Sequence, residues 1–170
     1  MVLLLKKSLT PAPQSGTIVV ERKVCPITEL TAIRDFVELI TGIRPVIARK
    51  RDDWSVVSEA DSMRMTVPTV YTSSETDKAF RKDFVSRCPL ARGFADVTIS
   101  ILHEMGHFAT RDNFNADVYT AQVEEAGADM EKYMAIPYEM LATCWAICWL
   151  MDPDNRKEAK NFERNFFGRG

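Results

Sequence analysis

Short β-patterned stretches crowd the first 70 residues of this chain, and long helix-patterned ones fill the rest. That order limits the folds open to it. Thr17–Val24 is rich in β-branched residues and predicts a first strand. Thr28 caps a predicted helix whose apolar positions Leu30, Ile33, Val37 and Ile40 fall at steps of three and four, and Gly42 ends it. Pro45–Lys50, Trp54–Val57 and Ser62–Val70 predict three further strands. The last alternates Met63, Met65 and Val67 with Ser62, Arg64 and Thr66, and its Pro68 suits a sheet edge. After Ser73-Ser74, helical candidates run Glu75–Arg87, Ala91–Thr110, Asp117–Met134 and Pro137–Met151, with a polar tail helix over Asn155–Phe167. Strands first and helices afterwards specify a segregated α+β domain with a small N-terminal sheet. Residues 1–15, with Pro11, Pro13 and no sustained period, predict a loose arm ahead of one domain over residues 16–170.

Composition narrows the function classes. Apolar residues make up 46% of the chain and charged ones 27%, close to the globular average. The net charge of −2 provides no overall basic field to recruit nucleic acid or anionic lipid. The apolar runs fall short of the ~20 residues of a membrane helix. Met1-Val2-Leu3-Leu4-Leu5-Lys6-Lys7 puts its apolar residues before its basic ones, the reverse of a signal peptide. The expectation is a soluble cytoplasmic chain. Cys25, Cys88, Cys144 and Cys148 form no Cys-x-x-Cys pair, and a disulfide framework is not expected. Cys144 and Cys148, four apart in an apolar stretch, read as buried small hydrophobes. No Gly-rich phosphate loop is present, so nucleotide chemistry finds no support.

The chemistry lies in His103-Glu104-Met105-Gly106-His107. On a helix, residues four apart project from one face, so both imidazoles can reach one Zn²⁺ at about 2.0–2.1 Å. Glu104 need not bind the metal; it can take a proton from an attacking water and pass it to a leaving amine. Chance produces this pattern in roughly 1% or fewer of chains this long. The apolar run Phe94, Val97, Ile99, Ile101 and Leu102 would bury the helix, and these histidines are the only two in the chain. A glycine at 106 costs a helix interior about 1 kcal/mol relative to Ala, which a purely structural helix has no reason to accept.

A catalytic zinc takes three protein ligands and leaves one position open. The third ligand here is not a histidine, because none remains and the extended His-Glu-x-x-His-x-x-Gly-x-x-His pattern is broken at Thr110 and Asn113, so a cysteine or a carboxylate must complete the site. Most downstream acids, among them Glu124, Glu125, Asp129 and Glu131, belong to a polar helix and read as a solvated face. Glu139 lies instead in the first turn of Pro137–Met151, the most hydrophobic helix, where its ordinary role would be to stabilise the helix N-terminus. A buried carboxylate wants a cation, so Glu139 is the first choice, with Glu125 or Glu124 next.

His103-Glu-Met-Gly-His107 followed by Glu139-x-x-Ala142-x-x-Trp145-Ala146-x-x-x-Leu150-Met151-x-Pro153 resembles the ImmA/IrrE-type zinc metallopeptidases. Their second motif runs roughly Glu-x-x-Ala-Asn-x-Phe-Ala, then Leu, Met and Pro. The likeness spans two motifs over about 50 residues; Thr143 stands in place of the usual Asn, and Trp145 in place of Phe. Helical Glu75–Arg87 reads as an insertion relative to the family. The resemblance implies a zincin-like domain in which a mostly helical C-terminal half carries the active-site helix. It implies one Zn²⁺ per chain on His103, His107 and Glu139, with Glu104 as general base and acid. Several family members cleave or control a DNA-binding repressor, so the expected partner is a protein or peptide substrate such as a transcriptional regulator. No fused helix-turn-helix is expected, nor a direct nucleic-acid or membrane partner. A metal-containing module that binds a partner without cutting it is the alternative.

Around this site, Thr143, one turn after Glu139, can hydrogen-bond a ligand imidazole or the preceding helical turn. Tyr71, Tyr133 and Tyr138 are candidate donors to a tetrahedral oxyanion, or simply residues that straddle core and surface. Trp145 and Trp149, with Leu141 and the two cysteines, read as core packing. In the tail, basic residues alternate with Phe162, Phe166 and Phe167, a pattern that packs aromatics onto the domain or contacts a partner.

Overall fold

Helices dominate the structure, a computed structural model that describes residues 26–50, 57–59, 64–68 and 75–167. The expected arm over 1–15, the expected strand Thr17–Val24, Tyr71 and most of Trp54–Val57 lie outside those residues. The first described helix, α1 (Pro26–Thr41), begins two residues before the expected cap at Thr28 and stops where Gly42 takes a φ of +68°. Three strands follow: β1 (Val46–Lys50), β2 (Val57–Glu59) and β3 (Arg64–Pro68). They form a small mixed sheet in the order β1-β3-β2, with β1 parallel and β2 antiparallel to β3. Mostly helical with one small sheet, the described residues are compatible with the α+β class.

The sheet corrects one expectation. The strand containing Pro68 is central, flanked by β1 and β2, and is not an edge. Among the described residues β2 pairs with residues 64–66 of β3, and Pro68, opposite Lys50, stands at the end of the strand. With both neighbours in place over 64–66, that stretch of β3 offers no edge to a substrate strand. Met65, paired with Ile47 on one side and Ser58 on the other, is fully buried.

Helix α2 (Glu75–Arg87) falls where the sequence places it. The expected helix over Ala91–Thr110 is instead a 3₁₀ turn, Pro89–Gly93, and a true helix α3 (Asp96–Ala109). Phe94 and Ala95 between them are extended. The expected helix over Asp117–Met134 is likewise broken into α4 (Ala116–Ala126) and the one-turn α5 (Met130–Met134). At the break Gly127 adopts φ +56° and ψ −120°, open only to glycine. Asp129 then caps α5 by accepting from the amides of Glu131 and Lys132. Helices α6 (Pro137–Met151) and α7 (Pro153–Phe166) complete the chain, with Asp152 capping α7 through the Asp154 amide.

The main core is a single cluster to which α1, α2, α3, α6, α7 and Met65 contribute. Helix α3 runs through it, and Ile99, Ile101, Leu102, Met105 and Phe108 are fully buried. Phe162 and Phe166 of α7 are buried too, with Phe162 stacked on Phe36 of α1 at 4.5 Å. Helix α6 is apolar on every side, so its composition does not say which side faces inward. Its buried stripe is Glu139, Ala142, Thr143, Ala146 and Leu150. Cys144, Cys148 and Leu141 stand on the exposed side with Met140 and Met151, contrary to the reading of these cysteines and Leu141 as core. Small Ala142 and Ala146, not the cysteines, face α3. Trp145 and Trp149 do pack against the core. No described helix is long and apolar enough to cross a membrane.

Candidate metal centre

The site grows from the crossing of α3 and α6. A Cβ at Gly106 would lie 2.8 Å from both the Cα and the carbonyl carbon of Ala142, and against its oxygen. Glycine there lets the two backbones touch, which draws the first turn of α6 onto the face of α3 that carries His103 and His107. The start of α6 is set by Pro137, and its N-terminal dipole favours an anionic Glu139.

The three side chains converge. Glu139 Oε2 lies 2.9 Å from His103 Nε2 and 3.4 Å from His107 Nε2. Among the described residues this is a cluster of metal-ligating groups in which all ligand atoms fall within 4.8 Å of one another. Ligand atoms around a tetrahedral ion with bonds of about 2 Å stand about 3.3 Å apart, so the observed separations fit a metal ion. The donor types fit as well, being two imidazoles and one carboxylate. Relative exposures of 5% for His103, 7% for His107 and 1% for Glu139 leave these polar groups in an interior where a cation offsets their desolvation. Glu124 and Glu125, the alternative third ligands, are exposed on α4.

Each ligand is held from behind. His103 Nδ1 is 3.1 Å from Thr143 Oγ1, so with Nε2 turned to a metal the Nδ1–H donates to this hydroxyl and the tautomer is fixed. Phe80 of α2 stands edge-on to the same ring, with centroids 5.1 Å apart. The ring of Tyr138 covers His107 at 4.6 Å, and its hydroxyl donates to the His107 carbonyl oxygen at 3.1 Å. Tyr119 and Tyr133 donate to Glu139 Oε1 at 2.5 and 2.6 Å, and their hydroxyls are 3.2 Å apart.

Electrostatics follow this wiring. Burial pushes the Glu139 carboxyl up, but hydrogen bonds and charge from His103 and His107 overcome it and hold the group well below the usual carboxylate range. Burial, and then the charge of Glu139, push the Tyr119 and Tyr133 phenols up, so both stay protonated donors. The charge of Glu104 adds a little to the effect on Tyr119. Glu104 is itself 8% exposed and lies one residue from His103 on α3.

Of the residues expected at the site, the structure brings together His103, His107, Glu139 and Thr143, with Glu104 buried next to His103 on α3. Tyr133 and Tyr138 also reach it, but they support ligands and do not stand as free oxyanion donors. Tyr119 is absent from the sequence reading altogether, since an isolated tyrosine in a polar helix carries no signal of its own. No family model, no curated protein and no solved structure matches this chain.

Proposed function

We propose that this protein is a zinc-dependent metallopeptidase with a zincin-like domain, of the ImmA/IrrE type that its two motifs resemble. The observation that carries the reading is the convergence of His103 and His107 of α3 with Glu139 of α6, together with a further buried carboxylate, Glu104, next to His103 on α3. A site that served folding alone would have no use for a second buried carboxylate at that position. Zinc held by the three ligands would act as a Lewis acid toward a scissile carbonyl and lower the pKa of water. Glu104 takes the proton of the attacking water and returns it to the departing amine nitrogen. Thr143, bonded to the His103 ring, and Tyr138, whose ring lies against that of His107, keep the two imidazoles oriented while this happens. The family resemblance makes the substrate a regulatory protein cut at a narrow set of bonds.

The near-complete burial of all four groups favours a second reading, a metal-containing module that binds a partner without cutting it. Glu104→Gln separates the two. The substitution keeps size and helix propensity but removes the base. On the peptidase reading, zinc content and melting temperature stay near wild type and cleavage falls by about 10²–10⁴-fold. The variant then serves as a trap that retains the uncut substrate for identification by mass spectrometry. Wild-type cleavage by the zinc-loaded variant sinks the mechanism. Intact regulation of a partner, with no product from either protein, supports the binding module. His103→Ala and His107→Ala should each abolish stoichiometric zinc; full occupancy in both would sink the site itself.

A further inference from the structure

The carboxylate of Glu139 has two oxygens, and the structure treats them differently. Oε2 faces the two histidines, at 2.9 and 3.4 Å. Oε1 faces away and accepts from two phenols, Tyr119 at 2.5 Å and Tyr133 at 2.6 Å. A carboxylate oxygen offers about two lone-pair directions, so a pair of donors fills it. The break at Gly127 makes this pairing possible. Tyr119 and Tyr133 are 14 residues apart, and a continuous helix would separate them by about 21 Å. Folded back as α4 and α5, they bring their hydroxyls to 3.2 Å over the same oxygen, supported by a small second core of Ala126, Ile136 and the Tyr119 ring.

We infer that Tyr119 and Tyr133 are positioning residues for the metal centre: by filling Glu139 Oε1 they leave Oε2 as the single carboxylate oxygen offered to a metal ion, and so hold one coordination position open. The inference rests on the reading of His103, His107 and Glu139 as metal ligands. A glutamate free to chelate through both oxygens would occupy the position that a catalytic centre must keep for water or substrate. Partners of this kind, one bond removed from the metal, typically change metal affinity 10- to 100-fold when lost. If the two hydroxyls served only to satisfy a buried carboxylate, their removal would lower stability and leave the coordination of the metal as it was.

The test uses the full chain as wild type, Tyr119→Phe, Tyr133→Phe and the double variant, each loaded with Co²⁺ and with Zn²⁺. Wild type should give the intense visible bands of four-coordinate cobalt. Each single variant should bind zinc about 10- to 100-fold more weakly in competition with a chromophoric chelator, and the double variant more weakly than either. In the double variant the cobalt bands should lose intensity as Oε1 joins the coordination shell. Unchanged zinc affinity and cobalt spectrum in the double variant overturn the inference. So does a weak five- or six-coordinate spectrum in wild type, a measurement that decides the matter even if the double variant fails to fold. If wild type binds neither ion, the metal centre falls and this inference with it. If wild type binds and the variants are indistinguishable from it, only the role of the tyrosines falls.

Discussion

At position 106 any side chain would collide with the neighbouring helix. In the sequence, Gly106 counts only as a helix interior weakened by about 1 kcal/mol; in the structure it is the point where α3 and α6 touch. Gly106→Ala recovers that propensity but adds a methyl group against the Ala142 backbone, which has no rotamer through which to yield. Overpacking costs about 1–3 kcal/mol, so the variant should be destabilised by up to about 2 kcal/mol. The greater effect should fall on the metal, because parting the helices moves Glu139 away from His103 and His107. We expect zinc affinity to drop at least tenfold, read by chelator competition. A folded Gly106→Ala protein with wild-type affinity would mean that something other than this contact places α6.

The helix that carries the histidines also depends on what secures its start. Ala95, at the N-cap of α3, has no side chain with which to accept from the helix. Glu163 of α7 takes that role from across the fold: its Oε1 accepts from the Ala95 amide at 2.5 Å and from the buried Thr98 hydroxyl at 2.9 Å. Lys160 pairs with the other oxygen at 2.7 Å. Arg81 of α2 adds an ion pair to Asp96 in the first turn, at 2.8 Å, and donates to the Phe94 carbonyl oxygen. The exposed Lys160 pair contributes little, whereas the buried Thr98 hydroxyl and the half-buried Ala95 amide are costly to leave unsatisfied, about 1–3 kcal/mol. Glu163→Ala should therefore lower the unfolding free energy by about that amount and speed amide exchange in the first turn of α3. His103 lies two turns further on, so zinc affinity should change less than twofold. A large loss of zinc with no loss of stability would show that α7 acts on the site and not on the helix start.

For the molecule as a whole, a large apolar core runs from Ile33 of α1 to Phe166 of α7. Metal binding should accordingly stabilise a domain that already folds. Free zinc at a thousand times its Kd contributes about 4.1 kcal/mol, and at about 2–4 °C per kcal/mol for a chain of this size, chelation should lower Tm by roughly 8–16 °C. A cooperative transition should persist in EDTA. Its complete loss would make the metal chiefly structural and shift weight to the non-cleaving module.

The pairing of His103 with His107 was legible in the sequence because a helix places residues four apart on one face whatever surrounds it. Glu139 was legible because a single acid in the first turn of a wholly apolar helix calls for a cation. The α+β order and the extent of α2 and α6 follow from local period in the same way. The interruptions at Phe94–Ala95 and Gly127 were not legible, since flanking helical pattern hides a break that packing elsewhere makes favourable. Nor was the inward face of α6. Alanines and cysteines are similar in size and polarity, so only the approach of α3 at Gly106 decides that Ala142 and Ala146 face inward and Cys144 and Cys148 outward. The same holds for Tyr119, which meets Glu139 across 20 residues of chain. Its hydroxyl acquires a role only when α4 and α5 fold back on each other, because a hydrogen bond depends on where two atoms are in space and not on how far apart they stand in the chain.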